Sequence, residues 1–201
     1  METRNKILEI ASDQFTRLGV RYVTMEDIAK ASGVSKKTIY QEFKDKEELV
    51  IEAFSRSMDQ DRAFFEGLIA TEEDPIKVFR EVSKYIRHRF SDINPLVLSE
   101  IQRYYPRCWK LCQDFKHNCA VKTIICVLER GKKTGVFRPE VNSEMLGLLR
   151  MNQISSTFDP NIYPPSKFSM VEVQMVLMDH FIHGILTDKG REQFYKINNQ
   201  N

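Results

Sequence analysis

A cluster of hydrogen-bond donors lies in the stretch from Gly33 to Leu49, with the sequence GVSKKTIYQEFKDKEEL. Hydroxyl, ammonium and amide groups occur together near its start, on Ser35, Lys36, Lys37, Thr38 and Gln41. These are the donor types that proteins direct at phosphate oxygens and at base edges in duplex DNA. Residues 30–46 also hold five lysines against one glutamate and one aspartate, a local surplus of three positive charges. The stretch therefore predicts contact with a polyanion, although lysines on a short helix are usually only solvated.

The elements that would position these donors begin with two helices near the amino terminus. Apolar residues at i, i+4, i+8 and i+11 predict a first helix with one apolar face, made of Ile7, Ala11, Phe15 and Leu18. Gly19 follows where a helix would end in a left-handed residue. Thr24, with Asp27 three residues later, has the spacing of an N-cap and opens a short second helix.

A third and a fourth helix are predicted directly afterwards. Gly33 supplies a turn, and Ser35 is a candidate N-cap for a helix whose Ile39 and Phe43 face inward. Asp45 is the next cap candidate, and it opens a longer helix. Three helices thus fit within residues 1–44, and two of them are very short.

Two short helices joined by a tight glycine turn predict a helix-turn-helix. The second helix would enter a DNA major groove that is only about 12 Å wide, so it must be short. Its amino-terminal end would bring free N–H groups and a positive dipole toward phosphates. Thr24 could add its hydroxyl to a phosphate, and Lys46 could add its charge at the start of the next helix.

The rest of the chain is also predicted to be helical, and none of it alternates convincingly enough to predict a strand. Asp74-Pro75 and Asn94-Pro95 are typical helix starts. Further helices are predicted over residues of about 106–132, 143–157 and 169–187, with a proline-rich loop at 159–167. The predicted fold class is therefore all-α: a three-helix helix-turn-helix module at 1–45, followed by a larger helical part at 46–201.

The helix that begins near Ser169 is apolar on two sides. One side carries Val173, Leu177, Phe181 and Gly184. The nearly opposite side carries Val171, Met175, Met178, Ile182 and Leu186. A helix that is apolar on two sides is buried on two sides, so the second side predicts a homodimer interface. The alternative is a central helix inside a single core.

The run from Ile7 to Leu49 resembles the N-terminal module of the TetR-type transcriptional regulators of bacteria. The matching positions are Ile7, Leu8, Ala11, Phe15, Gly19, Thr24, Ile28, Ala29, Ala31, Gly33, Val34, Ser35, Tyr40, Phe43, Lys46, Glu47 and Leu49. The resemblance implies an all-helical homodimer that binds a near-palindromic operator. It also implies a C-terminal domain, residues 46–201, that dimerises and often binds a small-molecule effector. We expect a repressor that is released by this effector, although repression as opposed to activation is not written in the chain.

Carried over by position, the resemblance assigns roles to single residues. Thr24 and Lys46 would contact phosphates, whereas Lys36, Lys37, Thr38 and Gln41 would face the groove. Tyr40 would pack and touch the DNA backbone, and Phe43 is predicted to lie in the core. This chain departs from the family pattern at Lys37, where a small residue is common, and at Gln41-Glu42, where an aromatic or histidine pair is frequent. The bases that it reads therefore do not follow from the resemblance.

An effector pocket is predicted where aromatic residues concentrate in the C-terminal part. The candidate lining residues are Tyr104, Tyr105, Trp109 and Phe115, joined by Met151 and Phe158. Such side chains are typical of an apolar ligand pocket between helices. The alternative is that they only fill the core.

Four cysteines at spacings of 4, 7 and 7 form a stripe along the predicted helix of residues 106–132: Cys108, Cys112, Cys119 and Cys126. Free cysteine is a common buried residue, so core packing is the favoured interpretation. A thiol sensor of oxidants is the alternative. Sensing of soft metals is part of that alternative. Residues seven apart lie about 10.5 Å apart along a helix, so only Cys108 and Cys112 could share a metal.

The remaining sequence excludes several classes of function. It contains no nucleophile motif, phosphate loop or carboxylate pair that predicts an enzyme, and no cofactor is expected. The net charge is only +2, and no run of 18 apolar residues predicts a membrane span. A cytoplasmic location is the default expectation, because the charged amino terminus lacks a signal-peptide pattern. Two alternatives to a ligand-released repressor stay open: an adaptor regulated by a protein partner, and a thiol-based redox regulator.

Overall fold

The computed structural model describes residues 3–199, and regular structure in this range is helical. The helices are α1 (Thr3–Leu18), α2 (Met25–Ser32), α3 (Lys36–Glu42), α4 (Lys46–Thr71), α5 (Pro75–Phe90), α6 (Val97–Tyr104), α7 (Pro106–Phe115), a π-helical segment (Lys116–Ala120), α8 (Val121–Lys133), α9 (Ser143–Ser156), α10 (Met170–Ile185) and α11 (Asp188–Asn198). Strand-type pairing among these residues is limited to one isolated antiparallel bridge between Phe137 and Leu186. The all-α fold class is therefore confirmed.

Local capping explains why the first short helices begin and end where they do. Thr24 caps α2 with a complete capping box, and Gly33 ends that helix in the left-handed conformation with a φ of 68°. Ser35 caps α3 by accepting a hydrogen bond from the Thr38 N–H. Asp45 accepts one from the Glu48 N–H at the start of α4. Each of these predicted caps is confirmed.

The chain forms two compact units. The first unit contains the described residues up to Asp61 together with Asp92–Asp114, and the second contains Arg62–Ser91 and the described residues from Phe115 onward. The packing division thus differs from the predicted functional division at 45/46. The reason lies in α4, whose Leu49 and Val50 belong to the buried core of the first unit. The functional division stays a prediction.

Each unit has its own apolar core. In the first unit the core holds α3 in place through two fully buried side chains, Ile39 and Phe43. In the second unit α5, α8 and α10 contribute to one buried cluster. In that cluster the Phe137 ring packs directly on the backbone of Gly131. Glycine is required there, because an added Cβ would lie 1.9 Å from the ring.

Several helix boundaries differ from the predictions. α6 begins at Val97, two residues after Pro95, because the Asn94 side chain accepts a hydrogen bond from the Leu96 N–H and holds a turn there. The predicted long helix over residues of about 106–132 is interrupted by the π-helical segment. α11 was not predicted, although Thr187 caps it by accepting a hydrogen bond from Gly190.

The dimer face predicted on α10 needs correction. Met178, Ile182 and Leu186 are buried in the core cluster of the second unit, so they are not available to a partner subunit. Val171 and Met175 are half-buried. α10 is apolar on two sides because both sides are covered within the same chain, which is the central-helix alternative.

Candidate nucleic-acid interface

The candidate interface is the outer side of α2 and α3. The turn between them is closed by backbone hydrogen bonds, from Gly33 N–H to the Lys30 carbonyl at 3.2 Å and from Val34 N–H to the Ala29 carbonyl at 3.0 Å. Phe43, with no exposed surface, anchors the end of α3, whereas Tyr40 is 47% exposed. The two aromatic rings therefore separate into a core residue and a surface residue.

The two adjacent lysines of α3 have different surroundings. The Lys36 Nζ lies 3.3 Å from the Glu26 Oε2 and forms an exposed ion pair with it. Lys37 is exposed and makes no hydrogen bond or ion pair with any residue in the described range 3–199. Its charge is open to an outside anion, whereas a phosphate would have to share Lys36 with Glu26.

The hydroxyl groups at this surface already serve as helix caps. The Thr24 hydroxyl donates to the Asp27 carboxylate at 2.6 Å and accepts from the Asp27 N–H at 3.1 Å. The hydrogen bonds from Thr24 hold the pKa of Asp27 below its usual value. Ser35 Oγ lies 2.8 Å from Thr38 Oγ1. Because the single Thr24 hydroxyl proton is committed to Asp27, a bond from it to a phosphate requires this bond to break.

Lys46 begins α4 and is half-buried. Its Nζ donates to the Arg21 carbonyl at 3.5 Å and lies 6.0 Å from the centre of the Phe15 ring. Burial lowers the pKa of Lys46, and the charges of Glu100 and Asp27 act in the opposite direction. The ammonium is thus tied to the loop before α2.

Glu42, the acidic departure from the family pattern, is directed toward Arg4. Arg4 donates to the Glu42 carbonyl, and its Nη1 lies 3.8 Å from the Glu42 Oε2. The same guanidinium binds Glu52 at 2.5 Å and lies 4.2 Å from the centre of the Phe43 ring. Arg4 was not singled out from the sequence, since 38 residues separate it from Glu42 and no local pattern marks the pair.

This surface is built within a segment that matches a known family. Residues 7–53 match the family of bacterial regulatory proteins, tetR family. The chain belongs to the TetR family. It is a DNA-binding transcriptional regulator and not an enzyme.

The similarity of this TetR-family regulator to known proteins extends beyond residues 7–53. The transcriptional repressor KstR2 of Mycobacterium tuberculosis is 26% identical over 149 residues, which cover 71% of this chain and 73% of KstR2. A TetR-family regulator from Agrobacterium tumefaciens has a TM-score of 0.76 at 18% identity, with 92% and 98% of the chains covered. A regulator from Saccharomonospora viridis, solved in complex with choline, has a TM-score of 0.75 at 22% identity, with 92% and 97% covered. The two solved structures support the fold alone.

The residues predicted to line an effector pocket of the regulator are divided between the two units. Tyr104, Tyr105 and Trp109 belong to the first unit. Phe115, Met151 and Phe158 belong to the second. Tyr104 is exposed, and the guanidinium of Arg21 lies 5.4 Å from the centre of its ring. Burial raises the pKa of Tyr105, as do the charges of Glu100 and Glu47. The pocket itself stays a prediction.

The cysteine stripe of the regulator is only partly core. Cys108 and Cys119 are buried, which confirms core packing for them, whereas Cys112 is half-buried and Cys126 is exposed. The prediction was wrong for Cys126, because the buried residues of α8, which include Val127 and Leu128, lie on a different side of that helix. The hydrogen bond between the Cys108 and Cys112 thiols lowers the pKa of Cys112 and raises that of Cys108. Residues 3–199 contain no group of three or more histidine, cysteine or acidic residues placed to hold a metal ion.

One residue of the second unit was missed from the sequence. Arg150 lies on the inner side of α9 and is only 1% exposed. A sequence signal existed, because Arg150 shares the inward stripe of α9 with Ser143, Gly147 and Thr157 at helical spacing.

The outer side of α9 carries an exposed apolar patch. It consists of Met145, Leu148 and Leu149 of α9, and Val176 of α10 is a further exposed apolar residue. Met145 is 67% exposed and Val176 is 63% exposed. Contiguous apolar side chains on a surface are typical of a protein interface. No helix within residues 3–199 has the length and apolar character to cross a membrane.

Proposed function

We propose that the chain is a repressor that binds a near-palindromic operator as a homodimer and releases it when a small molecule binds. The observation that carries the proposal is the outer side of α3, where Lys37 and Gln41 are exposed on a helix anchored by Phe43. Repression is supported by the relative KstR2, which is a transcriptional repressor. A small-molecule effector is supported by the Saccharomonospora viridis regulator, whose structure contains choline.

The operator is identified by sequencing the genomic DNA fragments that the purified protein retains. A twofold protein requires two half-sites about one helical turn apart, roughly 34–36 Å, or a multiple of that distance. The expected result is enrichment of an inverted repeat with this spacing. Retained fragments with no common sequence, or with a single half-site, would count against the proposal.

Phosphate contacts are measured by the salt dependence of operator affinity. Replacing Lys37 with alanine should weaken binding to every sequence and reduce the slope of log K against log salt by about 0.9. Lys36→Ala and Lys46→Ala are expected to act in the same direction. Lys110→Ala, an exposed lysine of α7, is the matched control and should leave the slope unchanged. An unchanged slope in all three test variants would reject these contacts.

Base recognition is assigned to Thr38 and Gln41 on the same helix. A good base contact discriminates against the wrong base by about 1–3 kcal/mol. Alanine at either position should therefore relax the preference at one or two operator positions, while the salt slope stays as in the wild type. Binding selection on a randomised operator measures this, and an unaltered preference in both variants would remove the assignment.

The dimer face is proposed on the outer side of α9, since the side predicted on α10 is buried. Glutamate at Leu148 or Leu149 would place a charge in the centre of the exposed apolar patch and should shift the protein toward monomer. Ile162→Glu changes a comparably exposed residue in the proline-rich loop and serves as control. Sedimentation velocity decides: dimers in both α9 variants would place the interface elsewhere. A wild-type monomer that captures another protein through this patch would favour the adaptor alternative.

The release step is assigned to α4, a single helix from Lys46 to Thr71 that supplies residues to both units. A displacement of its amino-terminal end would change the separation of the two α3 helices relative to one DNA turn. Ligand binding without any change in operator affinity would contradict this coupling.

A thiol-regulated repressor is the second candidate, because the hydrogen-bonded pair Cys108 and Cys112 lowers the pKa of one thiol. Titration of free thiols in the folded protein, followed by operator binding after mild oxidation, tests this. Unreactive thiols and unchanged DNA binding would reject it.

A further inference from the structure

The core of the second unit contains a buried guanidinium. Arg150 is 1% exposed and is the largest of the fully buried side chains among the described residues. Arginine is rarely buried to this extent unless it is paired with an anion. The side chain therefore calls for a partner.

The partners that the structure provides for Arg150 are neutral and distant. Nη1 donates to the Gln153 amide oxygen at 3.5 Å, and Nη2 donates to the Gln174 amide oxygen at 3.3 Å. Nε is buried and has no acceptor among the described residues. A guanidinium carries five N–H donors in a planar fork, so most of its capacity is unused by residues 3–199.

The acidic groups of the helices around Arg150 are engaged or directed elsewhere. α9 packs against α8 and α10. On α8, Glu129 binds the Ser143 hydroxyl and Lys132. Glu144 of α9 and Glu172 and Asp179 of α10 are exposed. None of these carboxylates supplies a counter-ion to the guanidinium.

Burial lowers the pKa of Arg150 to about 10, and no neighbouring charge contributes to the shift. The group is therefore still protonated at neutral pH. An uncompensated cation in a protein core is unfavourable, and an apolar residue in its place is often neutral or stabilising. Arg150 is thus poorly explained as a contribution to stability.

The groups beside Arg150 are held in a fixed orientation. The fully buried Gln174 donates through its amide nitrogen to Thr157 Oγ1 at 2.9 Å and to the Ile154 carbonyl at 3.2 Å. Thr157 Oγ1 donates in turn to the Ile154 carbonyl at 2.8 Å. Since both amide hydrogens of Gln174 have acceptors, its oxygen is directed at Arg150.

We propose that Arg150 binds the anionic group of the effector, a small molecule with a carboxylate or phosphate on an apolar body. The proposal rests on the proposed release by a small molecule and specifies its chemical class. Two parallel N–H···O bonds from a guanidinium to a carboxylate or phosphate form a strong and directional contact. Apolar side chains adjoin this network along the chain: Met151 follows Arg150, and Phe158 follows Thr157 and packs edge-to-face on Phe90 with ring centres 5.5 Å apart.

The test measures thermal stabilisation of the full-length protein by benzoate, octanoate and dodecanoate, each beside its methyl ester, and by inorganic phosphate. At least one acid or phosphate should raise Tm in a saturable manner, while the corresponding ester should not. Arg150→Met should abolish the shift, and Arg150→Lys should weaken binding at least tenfold because it lacks the planar fork. If no acid or phosphate stabilises the wild type more than Arg150→Met, the proposal is wrong.

A second measurement needs no ligand. Without ligand, Arg150→Met should have a Tm equal to or above that of the wild type, because it removes an unpaired buried charge. A large fall in Tm, or failure to fold, would assign Arg150 a structural role and overturn the proposal. Arg150→Lys keeps the charge and distinguishes loss of charge from loss of volume.

Operator binding is recorded separately on the same samples. Stabilisation by an acid without release of DNA supports the anion site and rejects only the proposed release. Absence of stabilisation in a protein that binds its operator overturns the anion site and leaves DNA binding intact. Absence of operator binding is a failure of the proposed function, whatever the acids do.

Discussion

One cation in each unit, Lys37 in the first and Arg150 in the second, lies in an environment opposite to that of the other. In the first unit Lys37 is exposed on α3 and has no partner among residues 3–199. In the second unit Arg150 is almost completely buried, and its partners are two amides. An exposed lysine keeps its hydration, so it is stable without a partner and is accessible to a polyanion in solution. A buried cation loses that hydration, so only an anion that enters its own site can compensate it.

The hydrogen-bond networks near these two cations differ in how far apart their members lie in the sequence. The caps of the first unit join residues three apart, such as Thr24 with Asp27 and Ser35 with Thr38. The contact of Arg150 with Gln174 joins two helices across 24 residues. Local networks shape a helix surface, whereas the long-range network fixes the interior of a unit.

The largest expected effect tests whether α3 is held by its core and leaves its polar side chains free for DNA. Phe43→Ala removes a fully buried ring and should cost about 3–5 kcal/mol in unfolding free energy, with loss of operator binding. Tyr40→Ala changes an exposed ring three residues away and should cost about 0.5 kcal/mol or less, while still weakening DNA binding. Urea denaturation at a fixed protein concentration measures both. Equal losses of stability would show that the two rings do not divide into core and surface roles.

The next largest effect tests whether Arg150 in the second unit is open to an anion. Gln174→Glu places a carboxylate where an amide oxygen now lies 3.3 Å from Arg150 Nη2. This internal anion should occupy the guanidinium and remove the stabilisation by acids, which is about 2.7 kcal/mol at a ligand concentration 100 times Kd. The acid-dependent shift in Tm is the measurement.

The control for that variant is Asn198→Asp, which adds the same charge at an exposed position at the end of α11. It should keep the full response to acids. A Gln174→Glu protein that still responds like the wild type would mean that the acid binds away from Arg150.

The features that depend on local contacts could be predicted from the sequence, whereas those that depend on long-range contacts could not. Gly33, Thr24 and Ser35 act through neighbours within a few residues, and their turn and caps were predicted correctly. The apolar sides of α10 could not be assigned from its own pattern, because whether Met178 meets a partner subunit or its own core depends on distant helices. Cys126 lies seven residues after the buried Cys119 and is nevertheless exposed, because the buried side of α8 is set by the helices that pack against it.

Candidate site residues show the same limit. The exposed position of Lys37 on α3 agrees with the predicted helix, but the ion pair of Lys36 with Glu26 involves a residue ten positions earlier. Arg150 stands on a regular inward stripe, yet its lack of an acidic partner is a property of the packed unit. Periodicity predicts which side of a helix is buried, and the three-dimensional neighbours determine what is buried with it.

A smaller effect concerns the dual use of Thr24 as cap and predicted phosphate contact. Thr24→Val removes the side-chain cap of α2 and should cost about 0.5–2 kcal/mol at neutral pH. Because the native pKa of Asp27 is lowered, its contribution to stability is present above the unfolded value and is lost as pH falls through the native one. The difference between variant and wild type should therefore narrow as pH falls below the ordinary Asp27 pKa of 3.8 and through the lower native pKa.

Thr71→Val is the control, since its hydroxyl donates to the Gly67 carbonyl within α4 and caps no N–H group. Its effect on stability should be small and independent of pH. A Thr24→Val penalty that is constant across the acid range would exclude the Asp27 carboxylate as the partner that matters.

The smallest expected effect concerns Glu42, the acidic residue nearest the donors of α3. Glu42→Gln removes a partly exposed ion pair with Arg4, so unfolding free energy should change by about 1 kcal/mol or less. The salt slope of operator binding should stay at the wild-type value, because the carboxylate is directed at Arg4 and not at the DNA. Lys37→Ala, measured in parallel, should lower that slope.

The opposite arrangement gives a different result for the same variant. If the Glu42 carboxylate faced phosphates, its removal would relieve repulsion and raise the affinity for every DNA sequence, most at low salt, where screening is weakest. Such a gain would contradict the placement of Glu42 against α1. Unchanged affinity with a slightly less stable protein would mean that this acid secures α3 from behind, so that the outer side of α3 presents Lys37 and Gln41 without a competing negative charge.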